Sequence, residues 1–217
     1  MAPLPSIIAT FSEGTTAKII LIMIKRILAL TALTLTSSAC AYPSITEIDS
    51  PTPPVAEVPA IQYDLTWKCP DCTPNEQYVL EELQKQTKIT DKNALATILG
   101  NIQQESKFIA NICEGGARVS YTECKYGGFG LIQWTSIGRY KGLGNFCAKY
   151  VCDPSSIEGQ TRWMINEPIF QKYLPEFEGS GQTVSYYMKS AYYWLGWGIK
   201  GNREIYAYNY VNKLVYT

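Results

Sequence analysis

Asp91-Lys92-Asn93-Ala94-Leu95-Ala96-Thr97-Ile98-Leu99-Gly100-Asn101-Ile102-Gln103-Gln104-Glu105-Ser106-Lys107-Phe108-Ile109-Ala110 is the stretch on which the fold turns. Taking about 100° per residue with Ile98 at ~0°, Leu95 falls near ~60°, Ile102 near ~40° and Ile109 near ~20°. One apolar stripe of this kind predicts a helix that opens on a Thr90 or Asp91 cap and runs to about Ala110. Glu105 falls near ~−20°, inside the stripe, while Gln104 falls near ~−120°, on the polar side with Asn93 and Lys107. With Asp91 as the cap, Glu105 is the only carboxylate in the body of this helix. A carboxyl turned toward apolar side chains resists ionisation, and the negative end of the helix macrodipole pushes the same way. A Glu that keeps its proton near neutral pH can protonate a glycosidic oxygen. The competing reading is a core-edge Glu paired with Lys or Arg.

Outward from this helix, the pattern is mostly helical. Thr73-Pro74-Asn75-Glu76 reads as a capping box with Pro at the first helical position, opening a helix through about Lys88. Asp153-Pro154 starts another helix, which Glu167-Pro168 interrupts, and Gln182 to Leu195 and Asn202 to Tyr216 are two more. Strand signals are weak, confined to the Gly- and Cys-rich loop from Asn111 to Gly130. The expected class is mainly α, an α+β arrangement with a small hairpin region lining a cleft. The aromatic cluster Tyr186, Tyr187, Tyr192, Tyr193, Trp194 and Trp197 reads as core at helical spacing, with sugar stacking as the alternative.

In that loop, Gly127-Gly128-Phe129-Gly130-Leu131-Ile132-Gln133-Trp134 joins exposed backbone, an amide and an indole, groups able to bond and stack on an amino sugar. Alone, it also describes an ordinary tight turn. Together, Gly100-Asn101-Ile-Gln-Gln-Glu105-Ser106, then Gly130-Leu131-Ile132-Gln133-Trp134, then Arg139 resemble the phage tail lysozyme domain. More loosely they resemble goose-type lysozymes and lytic transglycosylases. The resemblance is strongest over residues 92–146 and continues more faintly through Gln160, Glu167 and the stretch from Arg203 to Ala207. It implies a muramidase or lytic transglycosylase acting on peptidoglycan glycan strands, with Glu105 as the acid. It implies that Ser106 and Asn101 steady Glu105, that Gln133 and Trp134 floor the cleft, and that Gly130 and Arg139 help bind substrate. The insert from Cys113 to Tyr126 is longer than the family's usual loop. Ala207-Tyr208-Asn209 echoes a transglycosylase motif without its glycine, which favours coincidence.

Two-carboxylate hydrolysis needs a partner for Glu105, at about 5–5.5 Å for retention or 6.5–9.5 Å for inversion. Glu114 and Glu123 lie in the loop expected over the cleft, and Glu114 is the first choice. A single-acid route, in which the substrate's N-acetyl group or 6-hydroxyl attacks, needs neither. The alternative of another class is a non-catalytic wall-binding or virion structural protein on the same scaffold.

Composition narrows the chemistry. The 217 residues contain no His, and Lys+Arg balance Asp+Glu at 19 each. Ser-His-Asp and Cys-His catalysis and the commonest zinc ligand are thereby excluded, and no basic stripe points to nucleic acid. No metal and no cofactor are expected, and the domain is expected to act as a monomer. Tyr is frequent, at 16 copies.

The N-terminal region reads as an address. Lys25-Arg26, the apolar run Ile27 to Leu35 and Ser37-Ser38-Ala39-Cys40-Ala41 make residues 1–41 a signal peptide, with Met23 as a possible true start. Ala39-Cys40-Ala41 offers a cleavage site; the rival reading takes Cys40 as a lipid anchor, although Ser37 stands where a Leu is usual. Membrane contact is expected only through these features. Residues 42–62, with Pro43, Pro51, Pro53, Pro54 and Pro59, form a linker, and 63–217 the catalytic domain. An exported chain with Cys69, Cys72, Cys113, Cys124, Cys147 and Cys152 is expected to hold disulfides. Local pairing, 69 with 72, 113 with 124 and 147 with 152, is one of 15 connectivities. Cys69-Pro-Asp-Cys72 as a redox pair or half a zinc site is the lesser alternative.

Overall fold

The computed structural model describes residues 66–217. The signal peptide, Met23, Cys40, the Pro-rich linker and the start of the domain at Tyr63 lie outside the described residues. Among those described, the architecture is mainly α: α1 (Pro74–Gln86), α2 (Lys92–Ser106), α3 (Ile137–Tyr150), α4 (Ile157–Asn166), α5 (Pro168–Phe177), α6 (Val184–Leu195) and α7 (Arg203–Lys213). Two short strands, β1 (Trp67–Lys68) and β2 (Val215–Tyr216), pair antiparallel with Trp67 opposite Tyr216.

The capping box forms as read. Glu76 Oε2 accepts from Thr73 N at 2.6 Å and Thr73 Oγ1 from Glu76 N at 3.4 Å. Asp91 Oδ1 caps α2 by accepting from Asn93 N and Ala94 N.

Helix α2 is the axis of the domain, because every residue from Ala94 to Ile102 is buried, Thr97 and Asn101 included. The stripe read from the sequence is therefore too narrow: α2 is enclosed nearly all round. Helix α7 comes closest to it. A Cβ built on Gly100 would lie 2.4 Å from Ala207 N, so only glycine lets the two backbones meet. Helix α6 buries Tyr187, Ala191 and Trp194, and Trp194 packs edge-on against Phe170 of α5 with centroids 4.9 Å apart.

Three sequence expectations are corrected. Helix α2 ends at Ser106, not near Ala110, because Lys107 and Phe108 both turn to positive φ (53° and 59°). Helix α3 was not anticipated. The segment from Asn111 to Trp134 holds isolated bridges, Ile112 with Arg118 and Phe129 with both Cys113 and Trp134, and no regular hairpin. The paired strands are instead those of β1 and β2, where Gln84 of α1 bonds both the N–H and the carbonyl of Trp67.

Disulfides join Cys69 to Cys72, Cys113 to Cys124 and Cys147 to Cys152. Among the described residues, no helix is long and apolar enough to cross a membrane, and no group of three His, Cys, Asp or Glu could hold a metal ion.

Candidate active site

Glu105 is the penultimate residue of α2, with its side chain 15% exposed. Burial of the preceding turns carries it to the edge of the core, and the abrupt αL exit at Lys107 leaves that edge open. Oε1 accepts from Nη2 of Arg203, the first residue of α7. Among the described residues Oε2 has no hydrogen-bond partner. The competing sequence reading, a Glu paired with a cation, thus describes one of its two oxygens.

Arg203 is itself held from three sides. Its Nη1 donates to the carbonyls of Ile199 (2.9 Å) and Lys200 (2.8 Å), and its guanidinium lies 4.6 Å from the centroid of the Trp197 ring. A planar fork of donors suits this geometry: one edge fixes the 196–201 loop, the other the carboxylate, while the face stacks. Gln104, read as a solvated neighbour, also serves this loop, because its Oε1 accepts from Asn202 N at 2.9 Å.

The glycine-rich segment is tied to the same end of α2. Ser106 Oγ donates to Leu131 O at 2.7 Å. Gln160 of α4 accepts from Leu131 N at 2.7 Å and donates to Ala110 O and Pro154 O, each at 2.8 Å. Gly130 (φ 74°) sits directly over this amide; a Cβ there would lie 2.4 Å from Gln160 Oε1. Gln133, also at positive φ, turns its Nε2 back to Gly130 O at 3.0 Å. Its amide shapes the turn, half-buried.

Other expected site residues have partners of their own. Trp134 is fully buried and donates its indole N–H to Glu167 at 3.2 Å, so its face is closed to a sugar. Arg139 pairs with the same Glu167, through Nε at 3.0 Å and Nη2 at 2.5 Å. Asn101 is buried; its Nδ2 donates to Thr97 O at 2.8 Å and meets Met188 Sδ at 3.4 Å, and no bond joins it to Glu105 among the described residues. Ser106 acts on Leu131 and not on the carboxylate. Glu114 is exposed, its Oε2 accepting from Gly128 N at 2.9 Å, and Glu123 closes a local turn on Ser120. The aromatic cluster divides: Tyr187 and Trp194 are core, while Tyr186, Tyr192 and Tyr193 are exposed.

The sequence places Glu167 at a helix break and Arg203 in a faint resemblance, and gives neither a role in the site. Each is a charge at a helix start with its partner far along the chain, which no local pattern reports.

A mainly α frame around a central helix, with a half-buried Glu at the open end of that helix and a glycine-rich loop bonded to it, defines a lysozyme-like domain. The chain belongs to the phage tail lysozyme family, whose sequence model matches residues 74–212. The matched span holds Glu105, the 127–134 segment, Glu167 and Arg203. Comparison with the curated proteins and with the solved structures returns no match. Membership ties the domain to a lysozyme-like function connected with peptidoglycan.

Proposed function

We propose that this domain cleaves the glycan strand of peptidoglycan, with Glu105 as general acid. The observation that carries the reading is the asymmetry of one carboxyl: Oε1 is anchored on Arg203, while Oε2 is unpartnered among the described residues, on a side chain 15% exposed. The anchored oxygen fixes the orientation, and the other is left to hold a proton and pass it on. Transfer of that proton to the glycosidic oxygen lets the C–O bond break with its electrons on the departing sugar, which leaves as an alcohol. Positive charge develops on the anomeric carbon. Attack by water gives a reducing end; attack by the substrate's own 6-hydroxyl gives an anhydro sugar, and in the single-acid route the nucleophile's proton passes to the Glu105 carboxylate and restores the acid.

Glu114 is the proposed second carboxylate for the hydrolytic route. Its bond to Gly128 keeps it on the glycine-rich segment, and the Cys113–Cys124 disulfide fastens the loop that carries it. Gln133 and Gly130 of the same segment are bonded to each other, so their proposed contribution to substrate binding is the shape of the turn they hold. The three disulfides are compatible with export, and the proposed place of action is the cell wall, reached by secretion or as part of a virion.

The ion pair with Arg203 favours a second reading, in which Glu105 is a structural partner on a wall-binding scaffold. A zymogram on purified cell walls separates the two. The enzyme reading predicts clearing by the native domain and a loss of about 10²–10⁴-fold or more in Glu105→Gln, which keeps the side-chain volume but cannot donate the proton. Undiminished clearing by Glu105→Gln rejects it.

A further inference from the structure

The described surface has an aromatic feature that the Glu105 chemistry does not use. Helix α6 buries Tyr187, Ala191 and Trp194 on one side, yet turns Tyr192 and Tyr193 outward at 47% and 59% exposure. These rings are not scattered. Trp197 meets Tyr192 edge-on at 5.5 Å, Tyr192 meets Tyr193 at 5.2 Å, and Tyr193 stacks on Tyr173 of α5 at 5.9 Å. The row is continuous from the loop after α6 to the surface of α5. A groove of about 300 Å³ runs along its first part, lined by Tyr192, Tyr193 and Trp197 with Met188, Lys189 and Lys200.

One end of this row is the candidate active site itself. Trp197 carries the Arg203 guanidinium on its ring, and Arg203 holds Glu105. An exposed aromatic patch on a soluble domain marks a binding surface, and rings with hydroxyl tips suit a partner that is apolar on one face and polar at its edges. Pyranose rings have that character. Lys172 and Lys189 flank the row and have no acidic partner among the described residues. They complement the free carboxylates of wall peptides carried on the strand.

We infer that the row Trp197–Tyr192–Tyr193–Tyr173 is an extended subsite for the glycan strand of peptidoglycan, leading away from Glu105 along α6 and α5. The assignment rests on the glycan-cleaving reading of Glu105 for its direction, and on the exposed rings for its existence. A strand seated along the row gains affinity with each sugar, so the subsite matters for long substrates and not for short ones.

The experiment compares steady-state cleavage of long, peptide-free glycan strands with that of a muropeptide tetrasaccharide, for native protein, Tyr193→Ala, Tyr192→Ala and Tyr150→Ala. Tyr150 is an exposed aromatic whose ring contact is with Phe146 and not with the row, and it serves as the control. Tyr192 and Tyr193 are exposed, so their truncation leaves the core intact. The expected result is a rise in KM for long strands of roughly five- to tenfold per ring, with kcat and tetrasaccharide turnover unchanged. Unchanged KM in both variants overturns the subsite and leaves the surface to a protein partner. Sedimentation of Glu105→Gln and Glu105→Gln/Tyr193→Ala with insoluble cell wall reads the same contact without turnover. Weaker sedimentation of the double variant supports the subsite even if Glu105 is not the acid, whereas equal sedimentation overturns it.

Discussion

Glu105 and Glu167 are two carboxylates paired with arginines, and their surroundings could hardly differ more. Glu167, at the junction of α4 and α5, is 1% exposed and accepts from Trp134 Nε1 (3.2 Å), Trp194 Nε1 (3.1 Å) and two nitrogens of Arg139. Both its oxygens are engaged, and each donor comes from a different helix or loop. A buried charge satisfied on every side holds architecture together and has no capacity left for chemistry. Glu105 has one engaged oxygen, one unpartnered oxygen and a way out to solvent. What each oxygen still lacks distinguishes a keystone, Glu167, from the proposed reagent, Glu105.

The largest expected effect belongs to the keystone. Glu167→Ala strips partners from two buried indoles and Arg139, and urea unfolding is expected to show a loss of about 3–5 kcal/mol. Little change would mean that the centre is not organised by that charge.

A third carboxylate tests whether the domain's acid sensitivity lies away from Glu105. Burial by itself would raise the pKa of Glu76. The hydrogen bonds from Tyr210 and Thr73 outweigh it, aided by Lys213, and hold the carboxyl below its ordinary value of 4.5. A depressed folded value means that this contribution is full above the ordinary value and is lost as pH falls through the folded one. Tyr210→Phe should therefore cost about 1–3 kcal/mol at neutral pH and progressively less as pH is lowered below 4.5, read by urea melts across that range. A cost that does not shrink in acid would remove the charge from the account.

Smaller effects sharpen the reagent side. Arg203→Lys keeps the charge but loses the fork that joins Glu105 to the 196–201 loop, so kcat should fall about tenfold with KM for a tetrasaccharide near native. If KM rises and kcat holds, Arg203 binds substrate and does not position Glu105. Ser106→Ala, which unties α2 from Leu131, should cost about 1 kcal/mol in thermal unfolding and about fivefold in rate. A rate loss without any stability loss would place Ser106 in contact with substrate.

What the sequence disclosed follows the reach of each interaction. The starts of α1 and α2 are legible because a cap bonds residues two or three positions away, as Thr73 and Asp91 do. The end of α2 is not, since Lys107 and Phe108 carry no glycine to announce their positive φ. Helix α3 is concealed by Gly138, Gly142 and Gly144, which lower helix propensity. Two of these are dictated by neighbours: a Cβ on Gly142 would lie 2.4 Å from the Trp163 ring, and one on Gly144 2.6 Å from the Tyr121 hydroxyl. The wheel placed Glu105 inside the apolar stripe; the structure leaves its side chain 15% exposed, with a partner 98 residues away that the wheel cannot report. Trp134 is the clearest lesson. Its segment was read as a sugar-facing turn, yet the indole points inward because Glu167 supplies a buried acceptor that no nearby residue reveals.

The most direct test pairs Glu105→Gln with thermal unfolding and with mass spectrometry of digested peptidoglycan, all on one preparation. The account predicts a melting temperature within a few degrees of the native domain and release of glycan fragments reduced about 10²–10⁴-fold or more. Fragment release at the native rate from a folded Glu105→Gln protein would contradict it, and the acid would have to be sought elsewhere on the domain.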